Sequence, residues 1–156
     1  MKEKMFNKKS KLILCFLFLG VLVLTACARE EKMDELSEDG KFNYRNEDLG
    51  FRVSLPESFE HYQSERREGE GYTEIIFLVP SGDTSFFRDV AGYARPITVR
   101  IYQDGEPESG PEKWEEFGQK NNHRYFVSFW SGVPKDWQDV WDEDMKKEIR
   151  ESLRLK

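Results

Sequence analysis

The first 27 residues impose the strongest constraint on this 156-residue chain, because they contain its longest apolar run. Five lysines lie within the first eleven residues, and apolar side chains then fill positions 12–24. Thr25 and Ala26 are small and directly precede Cys27. A basic start, an apolar middle and small residues at the end are typical of an export signal. The segment is therefore predicted to direct export and to be absent from the folded domain.

The motif Leu24-Thr25-Ala26-Cys27 resembles the lipobox of bacterial lipoproteins. In that family the cysteine thiol is alkylated with diacylglycerol, and a peptidase cuts just before the cysteine. The resemblance implies a signal peptide at 1–26, lipidation of Cys27, and an anchored protein on the extracytoplasmic face of the cell membrane. An uncleaved transmembrane helix is the alternative, because 12–28 approaches the roughly 17–25 apolar residues that a span requires.

The remaining chain has the length of one domain and contains no further cysteine. Small exported domains often depend on disulfides, so this domain is predicted to be held together by its hydrophobic core. The aromatic residues supply that core. They are most of the twelve phenylalanines, with Trp114, Trp130, Trp137 and Trp141.

The charge of the domain limits its partners. The whole chain has a formal net charge of −6, and removal of 1–26 takes away five lysines but only one acid. The rest is therefore more acidic still, and it is predicted to be repelled by nucleic acid phosphates and by anionic lipid head groups. Nucleic acid is accordingly not expected as a partner.

The chain after Cys27 divides into a tether and a domain. Residues 27–40 are polar and acid-rich, and they are predicted to form a flexible spacer behind the lipidated cysteine. Residues 41–156 are predicted to form a single globular domain. Alternating or continuous apolar patterns predict strands at 42–46, 51–55, 73–79, 97–102 and 124–130.

Two helices and one loop complete the predicted domain. Pro111 suits the start of a short helix at 112–119 that buries Trp114 and Phe117. Asp136 is a plausible cap for a closing helix, and an apolar stripe recurs every four residues after it. The polar segment 65–71 is predicted to be a hairpin loop. Short connections between strands favour an α+β fold with a mainly antiparallel sheet and helices packed on it.

The stretch from Tyr44 to Phe59, Tyr-Arg-Asn-Glu-Asp-Leu-Gly-Phe-Arg-Val-Ser-Leu-Pro-Glu-Ser-Phe, resembles the opening of small lipoproteins with a PsbP-like α/β/α sandwich. Residues 122–129 and the closing helix agree with that pattern. The resemblance implies a sheet with helices on its faces. It implies little about activity, because this architecture carries unrelated binding and assembly roles.

The sequence contains no motif that identifies an enzyme or a cofactor site. A Gly-x-Ser-x-Gly motif, a phosphate-binding glycine loop and zinc-type ligand spacing are all absent, so no cofactor and no metal is predicted. The acidic groups at 104–108 and 142–144 lack EF-hand spacing. The alternative to a non-enzymatic protein is a small hydrolase that uses His61 or His123 with a nearby serine or carboxylate.

The best candidate for a contact surface is the long segment between the strands at 73–79 and 97–102. It contains Phe86, Phe87, Arg88 and Tyr93. If these side chains are exposed, they would form a surface patch that binds another envelope protein or a glycan. Alternatively, both phenylalanines cap the edge of the sheet. The sequence therefore predicts a non-enzymatic binding or assembly module whose particular ligand is not specified.

Overall fold

The computed structural model describes residues 36–87, 90–108 and 110–156. The predicted signal peptide, Cys27 and Arg88 lie outside these ranges. The described residues form two antiparallel sheets, one α-helix and three short 3-10 turns.

The larger sheet has five strands in the order β3-β4-β5-β7-β6. Its central strands combine apolar residues on both faces with β-branched side chains, which suits a strand covered on two sides. Every neighbouring pair is antiparallel. The strands are β3 (Gln63–Gly69), β4 (Tyr72–Pro80), β5 (Tyr93–Tyr102), β6 (Trp114–Lys120) and β7 (His123–Phe129).

The smaller sheet has three strands in the order β1-β2-β8. They are β1 (Lys41–Asn46), β2 (Phe51–Pro56) and the two-residue β8 (Arg154–Leu155). The turn between β1 and β2 ends at Gly50, whose φ of +71° is readily adopted only by glycine. Leu36 also forms an isolated bridge with Phe42, so paired structure begins within the segment predicted as a tether.

The hydrophobic core lies between the two sheets. Phe51, Val53 and Leu55 of β2 are buried against the face of the larger sheet that carries Phe77 and Val99. An edge-to-face contact joins the two sheets directly, with 4.9 Å between the ring centroids of Tyr44 and Phe77. Such aromatic pairs contribute roughly 0.5–1.5 kcal/mol beyond their buried area.

The single described α-helix, α1 (Glu143–Ser152), is stabilised by a cap at its first turn and by the burial of its apolar side. The carboxylate of Asp142 accepts a hydrogen bond from the Met145 amide at 2.7 Å, which satisfies a free donor of the first turn. Ile149 is fully buried in the core. At the other end, the Ser152 hydroxyl donates to the Ser54 carbonyl at 3.1 Å and so ties α1 to β2.

Three predictions of local structure were wrong. Most of the predicted helix at 112–119 is instead part of strand β6 (Trp114–Lys120), because β6 completes the sheet beside β7. Residues 65–71 belong mainly to β3, a polar edge strand, instead of a loop. The closing helix begins at Glu143 and not near Asp136, because Trp137 lies in a separate 3-10 turn, Lys135–Trp137.

The five predicted strands are all present, and the prediction of a mainly antiparallel sheet is confirmed. Within the described residues the architecture is two sheets with one α-helix, which is an α+β or mainly-β arrangement. Asn121 and Asn122 form the turn between β6 and β7, and both residues have positive φ values that suit a tight hairpin.

Truncation of Phe59 tests how far stability depends on the aromatic core. Phe59 is fully buried, and its ring lies 5.6 Å from Trp137 and 6.4 Å from Trp141. We expect Phe59→Ala to lower the free energy of unfolding by about 3–5 kcal/mol, measured by chemical denaturation. Val140→Ala is the control, because Val140 is 39% exposed and its truncation should cost less than about 0.5 kcal/mol. Equal losses for both variants would contradict this packing.

Candidate functional site

Asp83 and Asp136 hold the segment after β4 in place. Each of the two lies in one loop and accepts hydrogen bonds from the other loop. The Ser81 hydroxyl donates to Asp136 Oδ1 at 3.0 Å, and the Gly82 amide donates to Asp136 Oδ2 at 2.7 Å. In return, the Lys135 amide donates to Asp83 Oδ2 at 3.2 Å. These bonds fix the loop after β4 against the 3-10 turn at Lys135–Trp137.

Asp83 also organises its own loop. Its Oδ1 accepts from the Ser85 hydroxyl at 2.6 Å and from the Ser85 amide at 3.2 Å, and so caps the 3-10 turn Thr84–Phe86. The bond from the Ser85 hydroxyl, followed by that from the Lys135 amide, holds the pKa of Asp83 below its ordinary value of 3.8. The carboxylate therefore stays ionised, and Phe86 is placed at a defined position.

A cavity of about 320 Å³ lies beside this loop, on the face of the larger sheet opposite the core. It is near the lower end of the size range of small-molecule sites. The sheet, the β4–β5 loop and the chain after β7 all contribute to it. Its lining residues are Ser85, Phe86, Arg95, Thr98, Glu112, Ser128, Phe129, Trp130, Ser131 and Gly132.

Two hydroxyl side chains form part of this lining. Thr98 on β5 and Ser128 on β7 are directly paired across the sheet. Thr98 is 5% exposed and Ser128 is 6% exposed. Within the part of the chain that the structure describes, neither hydroxyl has a hydrogen-bond partner. Both residues line the cavity, so each hydroxyl is free to donate to and accept from a group bound there.

An ion pair borders the same cavity. Arg95 Nη2 donates to Glu112 Oε1 at 3.1 Å, and the second oxygen of Glu112 lies 4.0 Å from Arg100. The arginine side chains are only 19% and 20% exposed. The pair fixes the orientation of the carboxylate, which has further lone pairs that can accept from a ligand.

A second hollow, of about 690 Å³, shares Glu112 with the first. Its base is Arg100, whose guanidinium carbon lies 4.5 Å from the ring centroid of Tyr72 and 4.4 Å from that of Trp114. Arg100 Nε donates to Glu74 Oε2 at 2.9 Å. Although burial opposes it, the bond and charge of Glu74 raise the pKa of Arg100, so the guanidinium is a permanent cation.

The rim of the second hollow is strongly acidic. Five carboxylates line it against one cation, Arg100. They are Glu70, Asp104, Glu106, Glu108 and Glu112. This excess of negative charge creates a potential that repels anions from the shared end of both hollows.

The predicted aromatic patch is distributed over this region. Phe86 lines the first cavity, and Phe87 is partly buried beside it. The Tyr93 hydroxyl lies at the start of β5 and accepts from Gln63 Nε2 at 2.8 Å. Arg88 lies outside the described residues, as does the predicted lipidation site Cys27. Whether these side chains bind a partner stays a prediction.

Neither histidine lines the two hollows described above. His61 Nε2 is 3.7 Å from Glu60 Oε1, and both side chains are about 70% exposed. His123 Nδ1 is 2.9 Å from the carbonyl oxygen of Asn121. Among the hydrogen bonds described, neither ring bonds a serine or a carboxylate at the distance expected for a catalytic pair.

A metal-binding group and a membrane-spanning helix are both absent from the described ranges 36–87, 90–108 and 110–156. No group of three or more histidine, cysteine, aspartate or glutamate side chains there is arranged to hold a metal ion. No helix in the same ranges has the length and apolar character needed to cross a membrane.

Thr98, Ser128, Arg95 and Glu112 line the cavity but were not predicted from the sequence to be site residues. The alternation of β5 places Thr98 outward, but the segment around Ser128 gives no sign that it pairs with Thr98. That pairing depends on strand register across thirty positions of sequence. The polar residues among buried strand positions were the available signal.

The chain has no detectable relative among the known proteins compared with it. No protein-family model, no curated protein and no solved structure matches the chain.

The aspartate clamp gives a direct test of how the cavity is built. We expect Asp136→Ala to lower the free energy of unfolding by about 1–3 kcal/mol, because the Ser81 hydroxyl proton and the Gly82 amide lose their acceptor. Cleavage within 81–92 by a broad-specificity protease should also become faster. Asp139→Ala is the control, since within the described residues the exposed Asp139 side chain makes no hydrogen bond. Equal protease resistance in the two variants would contradict the clamp.

Proposed function

We propose that this chain is a lipid-anchored, extracytoplasmic lipoprotein that binds an uncharged saccharide in the cavity beside Phe86, without catalysing a reaction. The anchor is supported by the motif at 24–27 and by the apolar run before it. The proposal includes the PsbP-like α/β/α sandwich, supported by the resemblance of residues 44–59. The observation that carries the binding role is a pair of hydroxyls, on Thr98 and Ser128, that line the cavity and have no hydrogen-bond partner among the described residues.

The hydroxyl pair suits a polyhydroxylated ligand. A hydroxyl group both donates and accepts hydrogen bonds. Thr98 and Ser128 can therefore either donate to a ligand hydroxyl or accept from one. A purely cationic or purely anionic ligand uses only one of these capacities. The neighbouring Ser85 and Ser131 extend the same chemistry along the edge of the cavity.

The fixed carboxylate and the aromatic residues support the same class of ligand. Glu112 is held by Arg95 and can accept from a sugar hydroxyl, while Arg95 can donate to one. Phe86, Phe129 and Trp130 supply apolar surface, which suits the carbon-bound hydrogens on the face of a sugar ring. The cavity therefore combines apolar contact with a few orienting polar groups.

The charge around the cavity favours an uncharged sugar. Glu112 belongs to both hollows, and four more carboxylates lie around the larger one. A uronic acid or a phosphorylated sugar would approach against this negative potential. Among the described residues, Arg95, Arg100 and Arg124 oppose it, and all three are already paired with glutamates.

The lipid anchor is tested by Cys27→Ser in the native host. We expect the wild-type protein to take up an alkyne-tagged fatty acid and to lose 1–26, because alkylation of the Cys27 thiol precedes cleavage in the family that it resembles. The variant should remain unlabelled and unprocessed in the membrane fraction. Cys15→Ser is the matched control, and it should be labelled like the wild type. Labelled Cys27→Ser protein would refute the anchor.

The binding site is tested by Thr98→Val and Ser128→Ala. Each should weaken binding of a neutral oligosaccharide by about fivefold or more, because each removes one hydrogen bond to the ligand. The measurement is calorimetric titration of the full-length protein in detergent against glucose-, galactose-, mannose- and N-acetylglucosamine-based oligosaccharides. Thr73→Val is the control, since Thr73 lies on the opposite face of the same sheet and bonds Glu68.

Unfolding of the same variants without ligand separates binding from stability. The Thr98 hydroxyl has no partner within the described residues, so Thr98→Val should leave the melting temperature unchanged or higher. A lower melting temperature would show that the hydroxyl serves the fold. Absence of binding by every neutral oligosaccharide, or equal binding of uronic-acid oligosaccharides, would refute the saccharide site.

A further inference from the structure

Three arginines stand side by side on the smaller sheet. Arg45 of β1 is paired directly with Arg52 of β2, and Arg52 is paired with Arg154 of β8. The three guanidinium groups therefore belong to one row across three neighbouring strands, which we term the arginine row. Strand neighbours are about 4.8 Å apart, so the row concentrates three positive charges in a small area.

The arginine row lies on the outer face of this sheet. The alternate residues Tyr44, Phe51 and Val53 point into the core, so their neighbours point away from it. The three arginines line a hollow of about 310 Å³ together with Asn43, Ser54 and Ser152. All three side chains are exposed.

The arginine row differs from the other arginines of the described ranges, because no carboxylate within those ranges forms an ion pair with it. Nine arginines lie in the described residues, and six of these have a carboxylate oxygen within 4.0 Å. Within the same residues, the three without an ion pair are Arg45, Arg52 and Arg154. Arg154 Nη1 donates only to the Leu153 carbonyl, at 2.7 Å.

Two acidic groups, Glu47 and Glu148, form ion pairs with lysines instead. The hydrogen bond from Lys156 is the main cause that lowers the pKa of Glu47, and the charge of Arg45 contributes less. Glu148 forms an ion pair with Lys41 at 2.6 Å. The arginine row therefore keeps its positive charge although the whole chain has a formal net charge of −6.

An unpaired row of like charges reduces stability, because like charges directly opposite each other on neighbouring strands repel. Arginine also presents a planar set of donors that matches the oxygens of a phosphate group. A phosphate bound across the row would remove the repulsion and satisfy several donors at once.

We propose that the arginine row is an anion site that binds a phosphate group, from either a phospholipid head group or a soluble phosphate ester. The proposal is independent of the saccharide cavity, because the two sites lie on different sheets. It is also independent of the lipid anchor, because binding requires only Arg45, Arg52 and Arg154.

The test uses the full-length protein in non-ionic detergent and follows the Nε–Hε resonances of its arginines by NMR. Inorganic phosphate should shift the resonances of Arg45, Arg52 and Arg154 in a saturable manner, while chloride at equal ionic strength should not. Arg52→Gln should weaken phosphate binding at least about tenfold, because it removes the central charge-assisted donor. Arg66→Gln is the matched control, since Arg66 is an exposed strand arginine that pairs with Glu68 at 2.8 Å.

Thermal unfolding supplies a second measurement. At low salt, Arg52→Gln should melt at the same temperature as the wild type or higher, because the repulsion within the row is relieved. Phosphate should raise the melting temperature of the wild type and of Arg66→Gln, but not that of Arg52→Gln. Equal effects of phosphate and chloride, or an Arg52→Gln protein that still responds to phosphate, would overturn the proposal.

Lipid nanodiscs distinguish the two sources of phosphate. If the ligand is a head group, phosphatidylglycerol nanodiscs should shift the same three resonances and phosphatidylcholine nanodiscs should shift them less, with inorganic phosphate competing. If the ligand is a soluble ester, glycerol phosphate should reproduce the shifts in detergent while both nanodiscs give the same spectrum. Both results support the anion site, whereas nanodisc shifts at other arginines would overturn it.

Discussion

The whole structure depends on the pairing of β4 with β5 and on the burial of its inner face. Ile75, Phe77 and Val99 are fully buried there, and the smaller sheet packs on them. The described part of the chain contains no cysteine, so no disulfide reinforces this contact. Burial of one large apolar side chain is worth roughly 1.5–3 kcal/mol. The inner face of the sheet therefore has to carry an unbroken set of apolar side chains. This requirement leaves polar chemistry to the two outer faces.

The outer face of the larger sheet carries polar groups at a cost that the core has to offset. Glu74 is 6% exposed and is held by Arg100 from the next strand. A buried ion pair contributes little net stability, because desolvation cancels most of the attraction. Thr98 and Ser128 add two hydroxyls that line the cavity and have no hydrogen-bond partner among the described residues. A fold selected for stability alone would favour apolar side chains at these positions, and ligand binding is our proposal for why polar side chains stand there.

The sequence predicted those parts of the fold in which hydrophobic periodicity and local geometry agree. β2 and β5 alternate clearly, and Asn121-Asn122 is a strong turn signal. β6 was missed because a bulge between Glu116 and Gly118 interrupts its alternation and leaves Trp114 and Phe117 at helical spacing. β3 was missed because an edge strand with polar residues on both faces has no apolar period. The Thr98–Ser128 pair and the arginine row depend on register, which no local pattern contains.

Register also changes what the net charge implies. An overall excess of acidic residues indicates repulsion of anions only if the charges are evenly mixed. Here the carboxylates collect around the hollow on the larger sheet, while β1, β2 and β8 align Arg45, Arg52 and Arg154 on the smaller one. The same acidic protein therefore has one hollow lined mainly by carboxylates and another lined by three arginines, on different sheets. The second follows from strand pairing alone.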